Sequence, residues 1–360
     1  MFLRLLRLSD FRNIGFAEVP LGHRRCFLLG ANGQGKTNLL EATGLLPALR
    51  SFRTRDVACL VRHGATAAQA GYVLEHEREG EVEIAVTLDA RAGTRSVSIA
   101  GGRIRRLAEY LGRFPAVPFC AADIELLRGS PAGRRRWLDL LLASENPAYF
   151  EALRRYHAAL AQRNQLLKNA PAPDHALLAS FEKIMAPEAR TLAAARADAL
   201  GELGDAVRVL CGKMGVTGDA GVNYKPDAAP AGGDWERLLA AQRRRDLLLG
   251  ATQRGPQRDD FEFHLGGHPA RETASEGQQR ALVLALELAW LERLRAAGGA
   301  PAPLVLADDI LGELDPQRRA GFWATLGDAC QVIATGTTPP PDPENWHIIH
   351  VESGTFRPAN

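Results

Sequence analysis

A glycine-rich phosphate-binding motif lies directly after an apolar, strand-like segment near the start of this chain. Residues 25–30 form a compact apolar run that ends in glycine, as a buried strand does. Residues 30–37 then read Gly-Ala-Asn-Gly-Gln-Gly-Lys-Thr and fill the pattern GxxxxGK[ST] ahead of a helix predicted over 37–49. The alternative is a glycine-rich turn that binds nothing, but the complete pattern and its flanks favour a phosphate site.

The residue types of this motif match the chemistry of a bound triphosphate. Glycines let the backbone curl so that successive N–H groups point at phosphate oxygens, and the next helix adds its positive end. Lys36 would reach the β- and γ-phosphates, and the Thr37 hydroxyl would bind Mg²⁺. The motif therefore predicts ATP and Mg²⁺ as ligands.

A pair of aspartates follows a second apolar run. Residues 303–307 lead into Asp308 and Asp309, so two carboxylates lie at the end of a predicted buried strand. In α/β sheets such strand ends present ligands. Asp308 would bind Mg²⁺, and Asp309 would orient or deprotonate the attacking water. Alternatively, the pair could simply favour a helix N-terminus, where acidic side chains are stabilising.

A third segment opens a long apolar helix predicted over 276–296. Ser275 and Gln278 have the spacing of a capping box, S-x-x-Q. This pattern is typical of a well-capped core helix. It is also compatible with a second anion site, formed by the Ser275 hydroxyl and the Gly277 N–H at a positive helix end. The sequence order alone leaves both interpretations open.

The remaining patterns predict a split α/β domain interrupted by helices. Alternating segments over 67–104 predict an antiparallel meander, and residues 123–214 read as helical with a break at Pro171 and Pro173. Residues 215–235 are rich in glycine and proline and are predicted to form a loop. Further strands are predicted at 304–307, 332–335 and 348–351.

Composition excludes several classes of protein. The formal net charge of +2 indicates no partner by itself. Five widely spaced cysteines without a CxxC pair argue against a zinc ribbon or a disulfide scaffold and favour a reduced, cytosolic protein. No run of 18 uncharged apolar residues occurs, so no membrane span is expected.

Together, these segments resemble the RecF family within the ABC-type ATPases of the SMC and Rad50 group. The resemblance extends over nearly the whole chain and is weak at about 170–250. It rests on the opening LRLLRLSDFRN, the phosphate-binding loop, residues 118–139, residues 255–263, the Ser275 segment and LADDILGELD. The helical insertion is too short for the long coiled coil of SMC proteins.

The resemblance implies an α/β fold: an ABC-type ATPase head, with a P-loop NTPase sheet plus an antiparallel β lobe, and a helical insertion domain. Residues 1–120 and 255–360 would form the two halves of the ATPase domain, and residues 121–254 a helical arm. ATP would bind between two subunits, the loop of one facing Ser275 of the other. The nucleotide-binding residues would be Arg12, Asn13, Gly30, Ala31, Asn32, Gly33, Gln34, Gly35, Lys36, Thr37, Asn38, Ser275, Gly277 and Gln278.

Two positions depart from the wider ABC pattern, and a third departs from the pattern expected of the family resembled. Asp309 stands where most ABC ATPases carry glutamate, which suits slow hydrolysis, and aspartate is common there in the family resembled. The histidine usual after the last core strand is missing, and Thr335 or Thr337 would take its place. Gln257 replaces the histidine expected in a GPHRDD segment.

Clustered arginines are the candidate DNA contacts. Arginine suits bidentate phosphate binding, although most arginine runs are solvated helix faces. Residues 50–55 rank highest because they follow the predicted ATP-site helix, and further runs lie at 103–106, 134–136 and 243–245. The predicted DNA-binding residues are Arg50, Arg53, Arg55, Arg105 and Arg106.

The resemblance implies a function in recombinational gap repair and replication restart. The chain would be an ATP-switched dimeric clamp on duplex DNA at single-strand gaps, with a weak DNA-stimulated ATPase that drives release. Its partners would be the RecO and RecR mediator proteins and, indirectly, RecA. The alternative is an ABC-type ATPase subunit coupled to a transporter or a nuclease.

Overall fold

The computed structural model describes residues 1–169, 174–296, 301–310, 314–327, 329–340 and 342–359. By packing, the chain divides into two compact units. Unit 1 contains Met1–Asp123, Lys213–Gly215 and Glu287–Asn360, and unit 2 contains Ile124–Gly212 and Val216–Leu286. Residues 255–286 thus pack with the helices, whereas the sequence division assigned them to the ATPase domain. That functional division stays a prediction, because packing density does not test it.

Unit 1 contains two six-stranded sheets. The first is antiparallel, with spatial order β2-β1-β4-β5-β6-β7. Its strands are β1 (Phe2–Phe11), β2 (Ile14–Pro20), β4 (Ala67–His76), β5 (Gly80–Asp89), β6 (Thr94–Ile99) and β7 (Gly102–Arg103). The predicted meander over 67–104 is confirmed, and β1 and β2 extend the same sheet.

The second sheet is parallel except at one edge, with spatial order β15-β14-β3-β13-β12-β8. Its strands are β3 (Arg25–Leu29), β8 (Ala116–Cys120), β12 (Leu304–Asp308), β13 (Val332–Gly336), β14 (His347–Glu352) and β15 (Thr355–Pro358). Strands β3, β12 and β13 are buried almost throughout, as expected for parallel strands covered on both faces. This confirms the α/β class.

The helix that follows the phosphate-binding motif is shorter than predicted. Helix α1 spans Lys36–Thr43, whereas the pattern predicted 37–49. Beyond Gly44 the chain continues in tighter turns, with the Leu45 and Leu46 N–H groups bonded to carbonyls three residues back. A Cβ at Gly44 would lie 2.8 Å from Cδ1 of Phe52, so glycine permits this packing.

One apolar core fills unit 1 between its two sheets and α1. Side chains from every layer are fully buried in it, including Leu6 of β1, Leu28 of β3, Leu39 of α1 and Ile333 of β13. Residue Gln331 links the sheets, because its side-chain amide donates to carbonyl oxygens of Leu3 and Leu21. This link lies at the amino end of β13, because Gln331 immediately precedes Val332.

Unit 2 is mostly helical, as predicted for residues 123–214. Its helices are α2 (Glu125–Arg128), α3 (Pro131–Glu145), α4 (Pro147–Asn169), α5 (His175–Lys213), α6 (Trp235–Leu249) and α7 (Ala270–Thr273). Helix α8 (Glu276–Ala296) begins in unit 2 and ends in unit 1, and α9 (Pro316–Leu326) belongs to unit 1. The helix predicted over 276–296 is confirmed. The break predicted at Pro171 and Pro173 lies outside the described residues.

A three-stranded sheet in unit 2 corrects the loop predicted over 215–235. Strand β9 (Ala220–Lys225) lies within that segment and pairs antiparallel with β10 (Asp260–Leu265), which also pairs with β11 (His268–Pro269). The partner strand lies about 40 residues further along the chain, so local composition could not reveal the pairing. Among the described helices, none is long and apolar enough to span a membrane.

Two buried arginines organise unit 2. Arg163 forms ion pairs with Glu182 and Asp246, at 3.0 and 2.8 Å. Arg196 forms ion pairs with Asp139 and Asp259, both at 2.8 Å. Removing one partner would leave a buried charge uncompensated, which costs about 3–5 kcal/mol. These networks therefore fix how the helices of this unit pack on one another.

The same networks give structural roles to the segment 255–260, with its unexpected Gln257, and to two of the arginine runs that the sequence offered as DNA contacts. In the segment Gly255–Asp260, Asp259 accepts hydrogen bonds from Arg196 and Tyr224, and Asp260 accepts a bidentate pair from Arg134. Gln257 accepts a hydrogen bond from the Tyr156 hydroxyl. The arginine runs at 134–136 and 243–245 each contribute to this scaffold, since Arg134 binds Asp260 and Arg243 binds Glu182.

Candidate nucleotide-binding site

The phosphate-binding loop has the backbone that its glycines predict. Gly33 and Gly35 have φ angles of +80° and +115°, which residues with a Cβ rarely adopt. A Cβ at Gly30 would lie 2.4 Å from the Val351 carbonyl oxygen, so the loop packs against β14 only because glycine stands there. Residues 31–33 are exposed at the tip of the loop.

Lys36 lies inside the loop. Its side chain is 4% exposed, and Nζ donates to the carbonyl oxygens of Gly30 at 2.7 Å and Ala31 at 3.0 Å. An ammonium group has three N–H donors. Two of them therefore fix the curl of the loop, and the third can reach an anion held by the loop's N–H groups.

Thr37 and Asp308 meet where α1 begins and β12 ends. The Thr37 hydroxyl donates to Oδ1 of Asp308 at 2.8 Å. Two neighbouring oxygens on an octahedral Mg²⁺ lie about 2.9 Å apart, so the pair has the spacing of adjacent magnesium ligands. Burial raises the pKa of Asp308, opposed by hydrogen bonds from Thr37 and Thr335. A cation at this position would offset the cost of that buried charge.

Asp309 adopts a left-handed backbone conformation, with φ of +55°. Its N–H donates to Oγ1 of Thr335 at 2.9 Å, and the Thr335 hydroxyl lies 3.0 Å from Oδ1 of Asp308. Thr335 therefore holds both aspartates from the end of β13. Thr337, the other residue considered for the missing histidine, is exposed.

Arg12 and Asn13 lie beside α1, as the resemblance implied. Arg12 forms a bidentate ion pair with Glu41, which is fully buried, at 2.8 and 2.9 Å. Asn13 accepts a hydrogen bond from Asn38 at 2.8 Å, and a Cβ at Gly35 would lie 3.2 Å from the same Asn13 oxygen. The β1–β2 turn thus lies against both the loop and the helix that follows it.

Gln34 connects the loop to the β14–β15 turn. Its carbonyl accepts the Gly354 N–H at 2.8 Å, and its side-chain Oε1 accepts the Ser353 N–H at 2.7 Å. No sequence pattern predicts this contact, because the two segments lie more than 300 residues apart. It fixes the exposed side of the loop to the edge of the sheet.

The capping box predicted before α8 is confirmed within unit 2. The Ser275 N–H donates to Gln278 Oε1 at 2.9 Å, and the Gln278 N–H donates to Ser275 Oγ at 3.4 Å. Buried Gln279 fixes the helix start by donating to three carbonyls and accepting from Arg128 at 2.7 Å. Ser275 is exposed, so its hydroxyl remains accessible to an anion.

The predicted DNA-binding arginines differ in their surroundings. Arg50, Arg55, Arg105 and Arg106 are exposed. Arg53 is exposed as well, but it donates to Asn38 at 3.0 Å and to Glu41 at 3.2 Å, so it holds the loop that follows α1. None of these observations tests DNA binding, which stays a prediction.

A pair of buried carboxyl groups near β12 was not anticipated from the sequence. Asp123 follows β8, and its side chain is hydrogen-bonded to Glu287 of α8. Burial raises the pKa of both groups, and the charge of Asp308 raises that of Asp123 further. Among the described residues, no group of three or more His, Cys, Asp and Glu side chains is placed to hold a metal ion.

The fold and this site define an ABC-type ATPase head. The parallel sheet carries a complete phosphate-binding loop after β3. Asp308 ends β12, which is separated from β3 by β13, and Asp309 follows it. An antiparallel sheet belongs to the same unit. The sequence profile of the RecF/RecN/SMC N terminal domain matches residues 2–340. The site and the profile thus agree on the class of protein.

Proteins of similar sequence show which family within this class the chain belongs to. The chain is 36% identical over 374 residues to "DNA replication and repair protein RecF" of Thermosynechococcus vestitus, covering 99% of this chain and 97% of the relative. It is 35% identical to the Myxococcus xanthus protein of the same name, covering 94% and 91%. The chain belongs to the RecF family of DNA replication and repair proteins.

Solved structures agree with this assignment. A structure described as the recombination mediator protein RecF with ATP in the RecFOR pathway superposes with a TM-score of 0.91 and 26% identity, covering 100% of this chain and 98% of that chain. The Smc head domain from Pyrococcus furiosus superposes with a TM-score of 0.55 at 17% identity, which shows a shared fold alone.

Proposed function

We propose that this protein is an ATP-switched, dimeric DNA-binding protein of recombinational gap repair and replication restart. The observation that carries the proposal is the contact between Thr37 and Asp308 beside the buried Lys36. It joins a cation-binding pair of oxygens to a loop shaped for phosphates. Membership of the RecF family, and the ATP-bound relative of the same fold, support the same ligand.

The residues of unit 1 fit ATP with Mg²⁺. The loop N–H groups from Gly33 to Lys36 would bind phosphate oxygens, and the free N–H of the Lys36 ammonium would contact the terminal phosphates. Thr37 and Asp308 would hold Mg²⁺, which neutralises charge that develops on the phosphates during hydrolysis. Asn13 of the β1–β2 turn and Asn38 of α1 would border the nucleotide.

ATP would also join two copies of the chain. The exposed Ser275 hydroxyl, the Gly277 N–H and Gln278 stand at the positive end of α8, which suits the terminal phosphate of a nucleotide held by the partner's loop. Because the nucleotide would form part of the interface, ATP binding and dimerisation would be linked. The capping function and the anion-binding function of Ser275 are then compatible.

Hydrolysis would be slow and would act as a timer. Asp309 would orient the attacking water, with its backbone fixed by Thr335. The dimer formed with ATP would hold duplex DNA at single-strand gaps, with Arg105 and Arg106 among the contacts, and hydrolysis would release it. RecR and RecO would be direct partners and RecA an indirect one, in a reduced cytoplasmic compartment that suits five free cysteines.

Sizing by light scattering tests this proposal. The wild-type chain is expected to change from monomer to dimer on adding ATP and Mg²⁺, and the dimer is expected to bind gapped duplex DNA. Lys36→Met should abolish both ATP binding and this change of mass, because the ammonium that shapes the loop is lost. Lys183→Met, which removes an exposed lysine of α5, is the matched control. A Lys36→Met protein that still dimerises with ATP would refute the arrangement.

A further inference from the structure

A buried hydroxyl group at the end of β13 contacts both aspartates of the nucleotide site. Thr335 is 2% exposed, and its Oγ1 lies 3.0 Å from Oδ1 of Asp308 and 3.4 Å from Oδ1 of Asp309. The same Oγ1 accepts the Asp309 N–H at 2.9 Å. Strands β12 and β13 pair in parallel up to the residues just before Asp308 and Thr335, so these two residues lie next to each other at the edge of the sheet.

The single proton of the Thr335 hydroxyl goes to one of the two carboxylates. A hydroxyl group has one O–H donor and two lone pairs, and one lone pair here accepts the Asp309 N–H. Hydrogen bonds of the type O–H···O span about 2.5–3.0 Å, so the proton belongs to the contact with Asp308 rather than to the longer one with the Asp309 carboxylate. Thr335 therefore donates to the carboxylate proposed to bind Mg²⁺ and accepts from the backbone of the residue proposed to orient water.

Both aspartates depend on this hydroxyl for their orientation. Oδ1 of Asp308 accepts the Thr37 hydroxyl from α1 at 2.8 Å and the Thr335 hydroxyl from β13 at 3.0 Å, so two elements of the fold orient this carboxylate. Asp309 has φ of +55°, a conformation that is unfavourable for a residue with a Cβ, and its N–H bond to Thr335 stabilises it. Without the Thr335 hydroxyl, Asp308 would lose one of its two hydroxyl donors, and Asp309 would be free to leave this conformation.

We propose that Thr335 is the positioning residue that couples the binding of Mg²⁺ to the orientation of the attacking water, at the strand end where the usual histidine is missing. Thr335 acts through Asp308 and Asp309 rather than on the nucleotide. Thr337, the alternative, is exposed, and among the described residues it forms no hydrogen bond with either aspartate. This inference rests on the ATP binding and hydrolysis proposed above, and it names the residue that links the two steps.

Binding of a fluorescent, nonhydrolysable ATP analogue to the full-length chain tests the coupling to Mg²⁺ without turnover. Thr335→Val closely preserves the shape of the side chain and removes the hydroxyl. Its affinity for the analogue in EDTA should equal that of the wild type, because Lys36 and the glycines of the loop are unchanged. The gain in affinity on adding Mg²⁺ should be about tenfold smaller than in the wild type, the effect of losing one hydrogen bond to a charged group.

Steady-state hydrolysis at saturating Mg²⁺ tests the coupling to Asp309. The kcat of Thr335→Val should fall about tenfold or more, because Asp309 would leave the position in which it orients water, whereas KM for ATP should stay within about twofold. Thr335→Ser retains the hydroxyl and should restore both kcat and the effect of Mg²⁺. A variant that had merely lost packing in β13 would not be rescued by the smaller serine. Thr335→Ala, which also lacks the hydroxyl, carries the same expectations if Thr335→Val does not fold.

Thr338→Val, the same change at an exposed position three residues further along, is the matched control and should behave like the wild type in both assays. A wild-type response of Thr335→Val, or an equal loss in Thr338→Val, would overturn the inference. A loss of affinity already in EDTA would mean that Thr335 supports the phosphate-binding loop, which also overturns it. Loss of the Mg²⁺ effect in Thr337→Val instead would assign the coupling to Thr337. A wild-type chain that does not bind the analogue would refute the proposed function itself, whereas wild-type binding with unchanged Thr335 variants would refute only the role of Thr335.

Discussion

Replacing Glu287 by glutamine should change how the stability of this protein depends on pH. Glu287 is 3% exposed, its Oε2 has no hydrogen-bond partner, and its side chain is hydrogen-bonded to Asp123. Two carboxyl groups can share a hydrogen bond only if one is protonated. Burial, the Asp123 charge and this hydrogen bond raise the pKa of Glu287 well above its usual range, so the folded pair keeps a proton at pH values where an ordinary glutamate has lost it.

The expected magnitude follows from proton linkage. Below the ordinary glutamate pKa of 4.5, both folded and unfolded chains carry the proton, and the stability that the pair contributes is complete. Above it, the unfolded chain loses the proton while the folded pair keeps it. The free energy of unfolding then falls by about 1.4 kcal/mol per pH unit until the folded pKa is reached.

Urea unfolding at several pH values between about 5 and 8 measures this dependence. The glutamine side chain of Glu287→Gln would not titrate and can donate its amide N–H to Asp123. The variant should therefore match the wild type near about pH 5. At higher pH its free energy of unfolding should exceed that of the wild type by about 1.4 kcal/mol for each further pH unit, until the folded pKa of Glu287 is reached. A chain of two compact units need not unfold in one step, so more than one urea transition can occur. Wild type and variant are compared at the transition whose midpoint the substitution shifts. Glu292→Gln, on the same helix and only half-buried, is the control. A constant difference between wild type and Glu287→Gln across pH would refute a protonated pair.

Two other substitutions examine the proposed catalytic cycle. Asp309→Asn should retain ATP binding but slow phosphate release by about 100-fold or more, because the attacking water would lose its base. The dimer should then persist on DNA. Faster turnover of ATP by this variant would contradict the role of Asp309. Ser275→Arg should leave ATP binding by the monomer intact and prevent the ATP-dependent dimer, while Ser275→Ala should cost only the helix cap, about 1 kcal/mol. Dimers of Ser275→Arg in ATP, detected by sedimentation, would mean that Ser275 is only a cap.

The parts of the site that the sequence predicted are those encoded in contiguous residues. The phosphate-binding loop needs its glycines, lysine and threonine at fixed spacing, and the structure has the curled backbone and the interior Lys36 that follow from it. Asp308 was located because an apolar run ends there, and a parallel strand presents its last side chains next to the loop. The capping box of Ser275 and Gln278 is equally local.

The parts that could not be predicted depend on contacts between distant segments. Glu41 looks like an ordinary helix residue, yet it binds Arg12 and Arg53 on either side of it in sequence. Thr335 contacts Asp308 and Asp309 because β13 lies between β3 and β12 in the sheet, an order of strands that local sequence patterns do not give. Strand β9 and the Asp123–Glu287 pair depend in the same way on pairing over long separations. Local periodicity carries no information on such contacts.

The geometry of Asp309 bears directly on whether this protein acts as a switch or as a motor. A left-handed conformation at a residue with a Cβ costs about 1 kcal/mol or more, and it persists here because the Asp309 N–H is bound to buried Thr335. The backbone of the carboxylate is therefore fixed, and only its short side chain can approach a water molecule. Because an aspartate reaches one methylene less than a glutamate, the water would be held less closely and hydrolysis would be slow. Slow hydrolysis would lengthen the life of the proposed ATP-held dimer, which is what the proposed function as a clamp on DNA would require.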